Sequence, residues 1–197
     1  MSRPVHPEDV ILVNTANRAV GRAEKLAAHR AGWLHRAFSI FLVDERGRVL
    51  LQRRHPAKYH SGGLWANSCC GHPRPGETTL AAARRRLGEE LGATGPLRFG
   101  FRTRYAAELA SGLKENEIVY VYFGAAPAGL RPNPQEISAV EWISLAALKR
   151  ACRREPGKYA FWLKHYLERH EAAVAHGVAE ARIIRSQSQP TRSNQTG

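Results

Sequence analysis

Residues 71–93 read GHPRPGETTLAAARRRLGEELGA. Five residues separate Gly71 from Glu77 and seven separate Glu77 from Arg85; Arg85, Arg86, Leu87, Gly88, Glu89, Glu90, Leu91 and Gly92 then follow without a break. Leu80, Ala83, Leu87 and Leu91 recur at the spacing of one helical face, so the pattern predicts a helix over 78–91 that Gly92 stops. Arg86 and Glu90 stand one turn apart on that helix, where the guanidinium can pair with the carboxylate or face a phosphate. The glycine- and proline-rich residues before it make a loop-to-helix unit carrying clustered charge.

Outward from this unit the chain alternates strand and helix signals. Residues 10–14, Val-Ile-Leu-Val-Asn, predict a first strand, and 22–30 predict a short helix or structured loop that Gly32 breaks. The apolar run 38–43, the turn Asp44-Glu45-Arg46-Gly47 and the run 48–53 predict a hairpin. Glycine and proline punctuate 61–75. Strands are expected at 97–105, 117–125 and 139–143, and 144–181 reads as helical with Pro156-Gly157 as an interruption. There is no internal repeat. The pattern predicts one mixed α+β core around a central helix, spanning residues 1–181, with helices at its C-terminal side.

Hydrophobic residues make up 43% of the 197 residues and charged residues 24%, which excludes a disordered chain, a collagen-like fibre and a coiled coil. No apolar run reaches the roughly 20 residues that a membrane-spanning helix needs. The first residues lack the basic-then-apolar layout of a secretory signal, so a cytoplasmic location is expected. Three cysteines, two of them adjacent at Cys69 and Cys70, suit reduced thiols rather than a disulfide framework. With 30 Lys plus Arg against 17 Asp plus Glu, the formal charge of +13 suits an anionic partner, either nucleic acid or a small phosphorylated substrate. Residues 182–197 hold three of the arginines and no acid, and read as a disordered basic tail.

The spacing of 71–93 resembles the Nudix box, G-x5-E-x7-R-E-U-x-E-E-x-G-U, where U is a bulky aliphatic residue. Two positions depart: Arg86 stands where the box has Glu, and Ala93 is small for the last aliphatic. In Nudix hydrolases the glutamates of the helix hold Mg²⁺, so a charge reversal among them argues against pyrophosphate hydrolysis by the usual route. Asn67-Ser68-Cys69-Cys70-Gly71-His72-Pro73, Glu115-Asn116-Glu117, Glu24-Lys25-Leu26-Ala27-Ala28-His29 and His35 carry a narrower resemblance, to the type I isopentenyl-diphosphate isomerases. It covers residues 10–162 in the right order.

That resemblance implies a Nudix-like mixed β-sheet core with a central Nudix helix and C-terminal helices. It also implies an isomerase that interconverts isopentenyl and dimethylallyl diphosphate, an early step of isoprenoid biosynthesis. It maps a metal site to His29, His35, His72, Glu115 and Glu117, a catalytic thiol to Cys70 and a catalytic carboxylate to Glu117. Tyr105 maps to a hydroxyl beside that carboxylate, and Trp162 to a ring whose face stabilises a tertiary carbocation. Lys25, Arg54, Lys58 and Arg86 map to the diphosphate subsite, with a Mg²⁺ bridging phosphate oxygens to Glu90. The partner implied is a small diphosphate, with no nucleic acid, no membrane and a monomer or weak homo-oligomer. One residue fewer separates His29 from His35 than the family pattern has, and Gly32 is placed to absorb the difference.

The residues themselves allow this chemistry. Glu115 and Glu117 are two apart at the head of an expected strand, so their side chains share a face and can chelate one ion. Imidazole with carboxylate suits Zn²⁺, Mn²⁺, Fe²⁺ or Mg²⁺, a choice that stays open. Any single histidine is more often a surface or hydrogen-bonded residue, and His6, His55, His60, His165, His170 and His176 are read so. Two other functions compete: a Nudix diphosphate hydrolase, which leaves the histidines unused, and a nucleic-acid-binding module, for which no motif or aromatic platform is present.

Overall fold

The computed structural model describes residues 6, 8–109 and 112–188. Strand β1 (Asp9–Val13) pairs antiparallel with β2 (Ala19–Glu24), which runs directly into helix α1 (Lys25–Ala31). The first third of the segment expected as helix or loop over 22–30 is therefore strand. Glu24 ends the strand and caps the helix, its carboxylate accepting from the Leu26 and Ala27 amides at 2.8 Å. Gly32, at φ 69°, takes the left-handed conformation that closes α1.

Strands β3 (His35–Val43) and β4 (Val49–Arg54) flank the expected turn, which Asp44 Oδ1 closes by accepting from the Arg46 and Arg48 amides. The hairpin itself is almost absent, because β3 and β4 pair only at Val43 and Val49 and then diverge. Short strands β5 (Trp65–Asn67) and β6 (Cys69–Gly71) lie inside the glycine-rich segment, and helix α2 (Thr79–Leu91) follows. The Thr78 hydroxyl caps α2 and Gly92 ends it, as the pattern predicts. Arg85 clamps Glu77 through two bonds of 2.9 Å, and the Arg74 amide donates to the same carboxylate, which ties the loop to the helix.

Strands β7 (Arg98–Glu108), β8 (Lys114–Ala125) and β9 (Ile137–Ile143) complete one sheet of nine strands. β8 lies parallel to β3 along its whole length, from His35 opposite Glu117 to Val43 opposite Ala125, and antiparallel to β7. β6 pairs with β3, and β4 takes β5 and β9 as neighbours. Helices α3 (Leu145–Arg154), α4 (Phe161–Arg169) and α5 (Glu171–Ser188) end the described chain. The last helix runs past Arg182 into the stretch expected as a tail; residues 189–197 lie outside the described residues.

Period-two alternation on β3 divides the core. Phe38, Ile40 and Leu42 pack with Ala83, Leu87 and Leu91 of α2. Ala37, Phe41 and Val43 turn to the other face and pack with Leu148, Leu163, Tyr166 and Val178 of the C-terminal helices. The sheet is thus covered on both faces, and the expected mixed α+β core is the observed one. Where α5 crosses β8, a Cβ at Gly177 would lie 2.5 Å from the Phe123 ring, so the contact is built on a missing side chain. Among the described residues no helix is long and apolar enough to cross a membrane.

Candidate active site

Three separate parts of the chain deliver histidines to one point. His29 is in the last turn of α1, and the left-handed Gly32 turns the chain so that His35 opens β3 beside it, ring centroids 4.8 Å apart. His72 leaves β6, which the Phe38–Gly71 pairing holds against β3. Strand β8 supplies Glu117 directly opposite His35. One ligating atom from each of His29, His35, His72 and Glu117 fits within 4.8 Å of all the others.

The hydrogen bonds aim these groups. His29 Nδ1 lies 2.7 Å from the Lys25 carbonyl and His35 Nδ1 lies 2.7 Å from the Trp33 carbonyl. A carbonyl only accepts, so both Nδ1 atoms carry the proton and both Nε2 atoms present lone pairs. His35 Nε2 and His72 Nε2 are 3.2 Å apart, and Glu117 Oε1 lies 2.8 Å from the latter. Burial lowers His29 and pushes His72 down to about 4, which keeps both imidazoles neutral and able to ligate. Burial would raise Glu117, but the His35 and His72 rings set against its Oε1 outweigh burial and hold its carboxyl well below the usual range. Glu115, buried beside that charge, is pushed well above it.

A divalent cation suits these donors. His29 Nε2 and Glu115 Oε2 are both buried with no hydrogen-bond partner, and a lone pair left so in a protein interior costs about 1–3 kcal/mol unless a cation or proton meets it. Imidazole nitrogens held by backbone carbonyls are the usual support of metal ligands.

Of these residues His72, Glu115 and Glu117 line a cavity of about 530 Å³, and His29 and His35 lie behind them. Cys70, His72, Tyr105, Glu115, Glu117 and Trp162 line it together with the cations Lys25, Arg54, Lys58 and Arg86. Asn67, fully buried on β5, binds two of these groups at once: its Oδ1 accepts from Cys70 Sγ at 3.2 Å and from Trp162 Nε1 at 3.1 Å. Its Nδ2 donates to the Ile40 and Cys69 carbonyls, which fixes the direction of the amide. Burial pushes the Cys70 thiol up to about 12.

The sequence comparisons agree with this geometry. The NUDIX domain family matches residues 33–167. An isopentenyl-diphosphate Delta-isomerase of Aromatoleum aromaticum is 46% identical over 82% of this chain and 86% of its own length. The isopentenyl-diphosphate Delta-isomerase of Burkholderia multivorans is 44% identical over 86% of this chain and 96% of its own. The chain belongs to the Nudix superfamily and, within it, to the isopentenyl-diphosphate Delta-isomerase family. A solved protein from Deinococcus radiodurans shares the fold, with a TM-score of 0.68 and 25% identity over 82% of this chain and 98% of that one.

In this Nudix protein the expected site residues gather, with three differences. Glu115 stands on the same face of β8 as Glu117 but outside the group of four, its Oε1 3.8 Å from His60 Nδ1. Glu90 is buried, bonded to Arg86 and to Gln52, and does not line the cavity. His60 is no background histidine: it is buried in the cavity wall, stacked on His29 at 5.3 Å, and burial brings it down to about 2. Its sequence signal is weak, because a histidine in a Tyr-His-Ser-Gly-Gly turn has no spacing that ties it to the others. His165 and His170 do meet their expectation, since both bond the Thr103 hydroxyl.

Arg86 pairs with Glu89, Glu90 and Glu136, Lys58 with Glu136, and Lys25 with Glu8. Arg54 differs from all three. It is 6% exposed, its guanidinium lies 5.4 Å above the Trp162 ring, its Nε has no hydrogen-bond partner, and no carboxylate among the described residues pairs with it. Its Nη2 donates to the His60 carbonyl at 3.2 Å, and a buried guanidinium without a carboxylate partner is suited to receive an anion.

Proposed function

We propose that the protein interconverts isopentenyl diphosphate and dimethylallyl diphosphate. The observation that carries this reading is the single cavity in which a buried thiol, a buried carboxylate, an aromatic face and an unpaired arginine meet. Arg54, with Lys58, Arg86 and Lys25, takes the diphosphate, whose remaining charge a Mg²⁺ would neutralise. The hydrocarbon end then lies against Trp162, Cys70, Tyr105 and Glu117.

Isomerisation needs one proton added to the terminal alkene carbon and another removed from the carbon two positions away. The first transfer leaves a tertiary cation on the carbon between them, and the second lets the C–H pair become the new double bond. Cys70 and Glu117 are the two proton-transfer groups; because the reaction is reversible, each gives a proton in one direction and takes one in the other. Tyr105, whose hydroxyl donates to Glu117 Oε2 at 2.7 Å, relays and orients that proton. The Trp162 face shields the cation, a contact worth on the order of 2 kcal/mol when desolvated. His29, His35, His72 and Glu117, with Glu115, would hold one divalent ion, Mn²⁺, Zn²⁺ or Mg²⁺, which when bound supplies positive charge that fixes Glu117.

A Nudix hydrolase is disfavoured by Arg86, which ties up Glu89 and Glu90, two of the helix carboxylates on which a hydrolytic metal would depend. Incubation with labelled isopentenyl diphosphate and Mg²⁺ tests the reading: dimethylallyl diphosphate is the expected product, and an unchanged substrate would defeat it.

A further inference from the structure

Among the carboxylates that line the cavity, Glu136 has no part in the chemistry above, yet it touches two of the proposed diphosphate-binding cations. Its Oε1 accepts from Arg86 at 3.1 Å and its Oε2 pairs with Lys58. These cations come from different elements, Arg86 from α2 and Lys58 from the loop after β4, and one carboxylate bridges them.

The backbone of Glu136 is fixed on both sides. Its carbonyl accepts from the His55 amide at 2.9 Å, its amide donates to the Asn133 carbonyl at 2.9 Å, and Asn133 is itself bonded to the Glu90 carbonyl at the end of α2. The bridge is therefore anchored to both elements whose cations it joins. Arg86 gives three of its contacts to Glu89, Glu90 and Glu136, which leaves N–H donors for an anion, since a guanidinium has five. Lys58 likewise spends one of three donors.

We propose that Glu136 is a positioning residue for the diphosphate: it holds the Lys58 ammonium and the Arg86 guanidinium at a fixed separation, so that the substrate meets cations already in place. The inference rests on the isomerase reading of the cavity. A lysine side chain has many rotamers, and a partner that restrains it before binding removes the cost of ordering it from the binding step.

The sign of the effect separates this role from a simple field effect. By charge alone, removing a carboxylate from an anion site tightens anion binding. Positioning predicts the reverse. In Glu136→Gln the KM for isopentenyl diphosphate and the Kd for inorganic diphosphate in Mg²⁺ should each rise about tenfold, the loss of one charge-assisted contact. The fall in kcat should stay within about threefold, and the metal content and Tm should match wild type. In a Lys58→Ala background the same substitution should cost much less, since the residue being positioned is gone. Unchanged or tighter diphosphate binding in Glu136→Gln, equal cost in the Lys58→Ala background, or a loss confined to kcat would each overturn the proposal. Titration with inorganic diphosphate keeps the two readings apart: weakened binding in the variant supports the positioning role even if wild type fails to isomerise, a failure that counts against the isomerase reading alone.

Discussion

Tyr105 and Glu117 are register partners across β7 and β8, and the Tyr105 hydroxyl donates to Glu117 Oε2 at 2.7 Å while Oε1 faces His35 and His72. The carboxylate thus has one oxygen on the histidine side and one on the tyrosine side. This arrangement follows from the sheet: β8 lies between β3 and β7, so a residue at its head is flanked by His35 on one strand and Tyr105 on the other.

Tyr105→Phe should therefore lower kcat by roughly tenfold or more, the cost of one lost hydrogen bond to a charged group, about 1.5–3 kcal/mol. Metal content should not change, because the hydroxyl bonds the oxygen turned away from the histidines. Steady-state kinetics with elemental analysis checks both halves, and metal loss in this variant would show that the two oxygens are not so divided.

Cys70→Ala should lower kcat by about 10²- to 10⁴-fold, the usual contribution of an acid–base group, while Cys69→Ala retains most of the activity. Cys70 lines the cavity, and Ser39 Oγ donates to its sulfur at 3.4 Å. Cys69 is fully buried on the opposite face of the sheet among Phe38, Leu50 and Leu87, where its loss is one of packing. Similar kcat values for the two variants would remove Cys70 from the chemistry.

Substitution of His29, His35 or His72 by Ala, or of Glu117 by Gln, should lower bound metal in the purified protein. Excess Mn²⁺ should partly restore activity in His35→Ala, which loses only a ligand, and should not restore it in Glu117→Gln, which also loses a proton-transfer group. Metal analysis paired with activity at saturating metal distinguishes the two, and unchanged metal in every variant would abolish the site.

Much of this is legible in the sequence. The helix of α2 was marked by its period, its Thr78 start and its Gly92 stop, and the shared face of Glu115 and Glu117 followed from strand alternation alone. Partners were not legible. Residues 38–53 carry strand signals around a good turn, so they read as a hairpin, yet β3 spends its length beside β8, a pairing between segments far apart in sequence. Period two fixes which face a residue takes and says nothing about the neighbouring strand. His60 was missed for a related reason, since only the folded chain sets its loop against His29 and Trp162. The pairing of Glu90 with Arg86 was open because helical spacing permits it without requiring it.

Gly177→Ala should destabilise the protein by about 1–3 kcal/mol, the cost of overpacking. In an exposed helix the same change usually stabilises by up to about 1 kcal/mol, but here the new methyl meets the Phe123 ring. Chemical denaturation checks the sign, and a gain in stability would show that α5 and Phe123 can part without cost.

The central claim is that two groups lining one cavity add and remove protons across three carbons without touching the diphosphate. Proton and phosphorus NMR of a single reaction in D2O, with isopentenyl diphosphate and Mg²⁺, tests it most directly. The account predicts dimethylallyl diphosphate carrying solvent deuterium in a methyl group, with the diphosphate signals intact. Release of inorganic phosphate or diphosphate without isomer would contradict it.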